Sequence, residues 1–179
     1  TPGKAPLDLP TRALAEGIAA EWAAQGEKVD PLTMPLTRGA NSAIDKVMPQ
    51  RDGVLDVLAD YGDADLTCYR AATPAGLVER QTAAWDPLLD WAADRFGARL
   101  MPVVGVMHRP QDPGALARLR SELDAMSDFQ LTGVHDLIAL SGSLVLGLAA
   151  VHDLHPAERL WDISRIDEDW QIARWGEDA

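Results

Sequence analysis

A chain of 179 residues with a net charge of -12 has room for one sizeable core, or for one main domain with a small companion. The acidity would repel a phosphate backbone, which excludes nucleic acid as a partner. A hydrophobic share of 47% with 25% charged residues is that of a soluble globular protein rather than a disordered one, and a single cysteine, Cys68, leaves no internal disulfide and fits a reducing compartment.

The first ten residues hold no apolar h-region and do not read as a secretory signal. Pro6 to Pro10, with Leu7 and Leu9 alternating, is at best the remnant of an edge strand. Thr11 is a good N-cap for a helix whose stripe is Ala13, Leu14, Ile18, Ala19 and Trp22, ending near Gly26. Asp30-Pro31 to Pro35 reads as an extended connection. A second helix opens at Leu36-Thr37 and carries Ala40, Ile44 and Val47 until Pro49 stops it. Asp52-Gly53 then reads as a turn and Val54 to Tyr61 as a short helix closed by Gly62. Asp65 to Ala71 fits strand or helix equally.

Pro74 sits at the first turn of a helix bearing Leu77, Ala84, Leu88, Leu89 and Trp91 as far as Phe96, with Pro87 expected to kink or interrupt it. Leu100 to Met107 is β-rich and predicts a short strand. Asp112-Pro113 opens a helix through Met126. An apolar helix from Asp128 to Leu154 follows, and Pro156 begins the last one. The apolar core of that long helix, Leu137 to Val151, is about fifteen residues, short of the roughly twenty a membrane span needs. It predicts a buried central helix and no membrane span. A boundary near residues 50 to 53 divides a small N-terminal piece, 1–50, from a helical bundle, 51–179.

The last helix has two apolar stripes where a surface helix has one. Ile163, Ile166, Trp170 and Ala173 make the core-facing stripe. Trp161, Ser164, Glu168, Ile172 and Trp175 line another face, with Asp167 and Gln171 beside it. A carboxylate with an indole one heptad away on either side suits a docking surface better than a core. The alternative is that a second helix of the same domain covers that face. The six tryptophans against two phenylalanines and two tyrosines fit a docking role, because indoles combine large contact area with an N–H donor.

Catalytic signals are weak. His152, His155 and Glu158 suggest a metal cluster at first, but the histidines flank a helix break at Pro156 and read better as a solvated turn. Ser141-Gly142-Ser143 misses the Gly-x-Ser-x-Gly pattern of a nucleophile elbow and reads as small residues for helix packing. Cys68 reads as a structural thiol. No Gly-rich phosphate loop or paired-cysteine site is present, so no cofactor and no metal is expected. The competing enzyme reading is a small hydrolase using His152, His155 and Asp162.

Several segments in order resemble one family. They are Pro6-Leu-x-Leu-Pro-Thr11, Glu21-Trp22-x-x-Gln25, Met34-Pro-Leu-Thr37 with Asn41-Ser-Ala-Ile-Asp45, Cys68-Tyr-Arg70, Gln81-x-x-x-Trp-Asp-Pro-Leu88, Ser143-Leu-x-Leu-Gly147 and Asp167-x-x-Trp-Gln-Ile-x-x-Trp-Gly176. Together they are similar to the assembly chaperone of F-type ATP synthase that binds the alpha subunit of the catalytic head. The resemblance implies a non-enzymatic role without nucleotide: holding the free alpha subunit and shielding the surface beta will cover. The chain is expected to be monomeric when free, and the resemblance implies action in the mitochondrial matrix or the bacterial cytoplasm. It also implies a mainly α fold, a helical bundle C-terminal domain with a small α/β N-terminal domain that is truncated here, since the family carries a further β-rich stretch before Thr1-Pro2. The partner-binding residues expected are Glu168, Trp175, Trp161, Ser164, Ile172, Asp167 and Gln171.

Overall fold

Thr11 opens the first helix, α1 (Arg12–Ala23), by accepting the Leu14 N–H on its hydroxyl at 3.2 Å. The structure is a computed structural model that describes residues 1–176, and it is mainly α. It divides into two compact units. One comprises Thr1–Val54 with Met126–Gly133, the other Leu55–Ala125 with the chain from Val134 on.

In the first unit Pro6 to Pro10 forms no strand. Asp30-Pro31 is not an extended connection either, because the Asp30 carboxylate accepts the Leu32 N–H at 3.0 Å and caps a short 3-10 turn, Pro31–Thr33. Helix α2 (Pro35–Ser42) is held at its N-terminus by Glu21 of α1, whose carboxylate accepts the N–H groups of Leu36 (2.6 Å) and Thr37 (2.8 Å) and the Thr37 hydroxyl (2.7 Å). Desolvation acts against ionisation there, yet the bonds from Thr37 and Leu36 win and hold Glu21 below the usual carboxylate range. Pro49 does not stop the next helical stretch. A π turn, Ala43–Val47, and a 3-10 turn, Met48–Gln50, lead straight into α3 (Arg51–Asp63), so Asp52-Gly53 is helical and not a turn. Pro49 stands where a new helical segment starts, and there its missing N–H costs nothing. Arg51 ties in the returning segment: it donates to Asp128 at 2.7 Å and to the Met126 carbonyl at 2.6 Å.

In the second unit a 3-10 turn, Leu66–Cys68, precedes β1 (Tyr69–Arg70), which pairs in parallel with β2 (Val103–Val104); Tyr69 is opposite Val103 and Arg70 opposite Val104. The β-rich run of 100–107 therefore contributes only two residues of strand. Between them α4 (Ala75–Phe96) runs on through Pro87 without interruption. Helix α5 (Pro113–Asp124) starts as expected, with the Asp112 carboxylate accepting the Ala115 N–H at 2.8 Å.

The long apolar helix is in fact two, α6 (Asp128–Ser141) and α7 (Leu144–Val151). Gly142 takes a left-handed φ of 68° and Ser143 caps α7, accepting the Leu146 N–H at 3.0 Å. The break is fastened by Asp65. Its fully buried carboxylate accepts the Ser143 hydroxyl (2.7 Å), the Val145 N–H (3.0 Å) and both the N–H (3.0 Å) and hydroxyl (2.7 Å) of Thr67. The 137–151 run is buried as a central helix requires chiefly in its second half. Leu144, Val145, Leu146 and Leu148 are buried, whereas Leu137 (41%), Leu140 (72%) and Val151 (37%) are exposed; the break at Gly142 leaves one face of α6 uncovered. Burying each side chain of the first four contributes about 1.5–3 kcal/mol. Among the described residues no helix is long and apolar enough to cross a membrane.

Gly147 lets α7 approach α6, since a Cβ there would overlap the Ile138 side chain. Gly147→Ala is expected to destabilise by about 1–3 kcal/mol through overpacking, although alanine is the better helix former. A urea midpoint equal to wild type would contradict this. Cys68 is buried against the same core, and desolvation, helped by the neighbouring Asp65 charge, pushes its thiol up to about 12. The folded thiol stays neutral while the unfolded one ionises near 9. Its contribution is therefore complete below pH 9 and falls by about 1.4 kcal/mol per pH unit above it. A thiol reagent should label Cys68 only as fast as the chain unfolds; prompt labelling under native conditions would disprove the burial.

Candidate protein-docking surface

The C-terminal helices hang on two residues one turn apart on α4. The stretch read as a single last helix is two, α8 (Ala157–Ser164) and α9 (Ile166–Trp175), parted at Arg165. A helix end leaves its last carbonyls without partners. The Ile163 carbonyl is taken by the indole N–H of Trp85 at 3.0 Å. Gln81, also buried, accepts the Ala71 N–H at 2.8 Å and donates to Asp167 in the first turn of α9 at 2.7 Å. Arg70 completes the anchor: its guanidinium lies 5.4 Å from the Trp85 ring and pairs with Asp86 at 2.7 Å. In the Trp-Asp-Pro-Leu segment Trp85 and Leu88 are thus buried supports while Asp86 is half-exposed and Pro87 exposed, and the helix runs through it unbroken where a bent corner was expected.

Trp170 is the inner contact of α9. Its ring comes so close to Gly76 of α4 that an added Cβ would sit 3.0 Å away, and the guanidinium groups of Arg80 and Arg174 lie 4.9 Å and 4.7 Å from the ring centroid. Glu168, Ile172 and Trp175, at i, i+4 and i+7 of the same helix, face outward. Trp175 is 76% exposed and Trp161, on α8, 50%. Arg165 links the two helices on this side. Its guanidinium is 5.5 Å from the Trp161 ring and donates to Glu168 at 3.3 Å. Gln171 is exposed next to them.

Two of the expected docking residues are placed otherwise. Ser164 is only 5% exposed, its hydroxyl donating to the Trp161 carbonyl at 2.7 Å. Its helical register with Glu168 is lost at the Arg165 break. Asp167 is half-buried and occupied by Gln81. What remains is an outward strip of two indoles, an isoleucine, a glutamine and a carboxylate whose one cation, Arg165, is its own neighbour. Such a strip offers large apolar contact area and an acceptor for a cationic group.

Residues 1–93 match the family of the ATP12 chaperone protein. Across 99% of the chain and 76% of its counterpart, the structure superimposes on Atp12 from Paracoccus denitrificans with a TM-score of 0.97 at 53% identity. The chain belongs to the ATP12 chaperone family. An aspartate-to-lysine mutant of the Paracoccus protein matches this ATP12 family member over the same shares at 52% identity and a TM-score of 0.97. The Atu1473 protein of Agrobacterium tumefaciens matches at 42% identity and a TM-score of 0.95, over 99% of the chain and 67% of its counterpart. The resemblance read from the sequence, to a chaperone of ATP synthase assembly, therefore holds.

Arg165 escaped the sequence reading of this ATP12 chaperone because no glycine or proline marks the break it occupies. Its place four residues after an indole and three before a carboxylate was the available signal. The hydrolase alternative finds little here. The ring nitrogens of His152 lie 2.9 Å from Arg95 and 3.6 Å from Glu122, and the ring packs against Trp91 and Phe96. Among the described residues no group of His, Cys, Asp and Glu is arranged to hold a metal ion.

Proposed function

We propose that this ATP12 family member binds the free alpha subunit of F-type ATP synthase and shields the surface that beta later covers, without nucleotide and without catalysis. It works as a monomer, in a bacterial cytoplasm or a mitochondrial matrix. The observation that carries the reading is the outward strip of Trp161, Glu168, Gln171, Ile172 and Trp175, in which Trp175 is 76% and Trp161 50% exposed and Glu168 pairs with Arg165 of its own chain. The indoles supply area, and Glu168 meets a basic group of the partner by exchanging Arg165 for it. A pair rimmed by excluded indoles is screened less than an open one.

Glu168→Lys is expected to weaken binding to purified alpha subunit by about 2 kcal/mol, about thirtyfold in Kd, while the free protein keeps its melting curve. Asp169→Lys, about 100° round the helix, should cost less. Equal affinity of Glu168→Lys and wild type in calorimetry at physiological salt would remove Glu168 from the interface.

A further inference from the structure

Behind Trp161 the second unit carries an apolar groove. Leu137 and Leu140 of α6 form one wall and Trp161 of α8 the other, with Leu146, Ala150 and Leu160 between them. Leu140 is 72% exposed, although it stands in one of the most apolar stretches of the chain. No lining side chain is charged. The charges stand on the rim: one cation, Arg165, lies against the Trp161 ring and is paired with Glu168, and the others named here are acidic. At 100° per residue, Asp136 flanks Leu140 on the outer side of α6. It is largely exposed, with a carboxylate 3.0 Å from His135 Nδ1. On α8, Glu158 and Asp162 share the outer flank beyond Trp161, and both are exposed. Arg159 falls on the opposite side of that helix.

We infer that this groove seats an apolar helix of the client flanked by lysine or arginine. The inference rests on the reading of the protein as a chaperone for the alpha subunit and names the chemistry of the segment it grips. Two helical walls receive a helix by ridges fitting grooves. An apolar floor between acidic rims selects basic flanks and disfavours acidic ones. Trp161 belongs to both surfaces, so groove and α9 strip form one continuous contact.

The test uses the full chain with two probes: the purified free alpha subunit, and a helical peptide of leucine and lysine beside its leucine–glutamate counterpart. Leu140→Asp should weaken alpha-subunit binding about tenfold or more, with Leu140→Ser intermediate and both melting as wild type. The Asp136→Lys/Asp162→Lys double variant should weaken binding and flatten its salt dependence. The leucine–lysine peptide should bind wild type and be lost by Leu140→Asp, and the leucine–glutamate peptide should not bind. Wild-type affinity of Leu140→Asp, in a protein that Glu168→Lys still weakens, would overturn the groove and leave the chaperone reading standing. Binding of the basic peptide with none of the alpha subunit would do the reverse. A wild-type dimer that Leu140→Asp dissociates in sedimentation would give the groove to a second copy and overturn the inference.

Discussion

Trp85→Ala is expected to destabilise the protein by about 3–5 kcal/mol, the cost of emptying a buried indole site that the surroundings fill only in part. The ring has no solvent exposure. Its removal also leaves the Ile163 carbonyl at the end of α8 without a donor and takes the aromatic surface from beside Arg70, which is itself buried. Trp85→Phe separates these contributions: it keeps most of the bulk and loses the hydrogen bond, so about 1–2 kcal/mol is expected. Because Trp85 holds the junction of α8 and α9, alpha-subunit binding should also fall for the alanine variant, although the indole touches no partner. Urea unfolding followed by far-UV circular dichroism is the measurement. Wild-type stability with lost binding would make Trp85 a contact residue and overturn its role as a support.

Asp65→Ala should cost about 3–5 kcal/mol at neutral pH, because it orphans four donors inside the core. Two of them, the Ser143 hydroxyl and the Val145 N–H, belong to the start of α7, so the loss falls on the most deeply buried helix of the second unit. Asp65→Asn should be milder, about 2 kcal/mol, since one oxygen still accepts. The pH dependence has a definite sign. Burial raises the Asp65 pKa, against the bonds from Val145, Ser143 and Thr67 that lower it. The folded state therefore holds that proton more tightly than the unfolded state does. The advantage of wild type over Asp65→Asn is then greatest below about pH 4 and shrinks as pH rises through the raised value. An alanine variant as stable as wild type would mean that the carboxylate does not carry this junction. An advantage that grows with pH would mean that the four donors outweigh burial and hold the Asp65 pKa below its usual range.

The elements whose cause is local were legible in the sequence. Thr11 and Asp112-Pro113 cap their helices through their own side chains and ring. The burial of Leu144 to Leu148 follows from their place in an apolar run too short to span a membrane, although Leu137 and Leu140 of the same run face water. Recognition of the family needed only the order and spacing of its motifs. Among the residues proposed for docking, Glu168, Ile172 and Trp175 keep the helical register that the sequence showed, because all three lie within the unbroken α9.

What the tertiary structure decided are the breaks. Gly142 between α6 and α7 suits helix packing and a left-handed turn alike. Asp65, 77 residues earlier in the chain, favours the turn by accepting from the first residues of α7. At Arg165 neither proline nor glycine marks an end, and a continuous helix differs from a broken one by only a few backbone bonds. Trp85 and Gln81 make up that difference by bonding Ile163 and Asp167, which turns Ser164 inward and occupies Asp167. Helical periodicity states which residues share a face only while the helix continues. Whether it continues depends on partners 78 and 86 residues away, whose hydrogen bonds form only once α4 has packed against it.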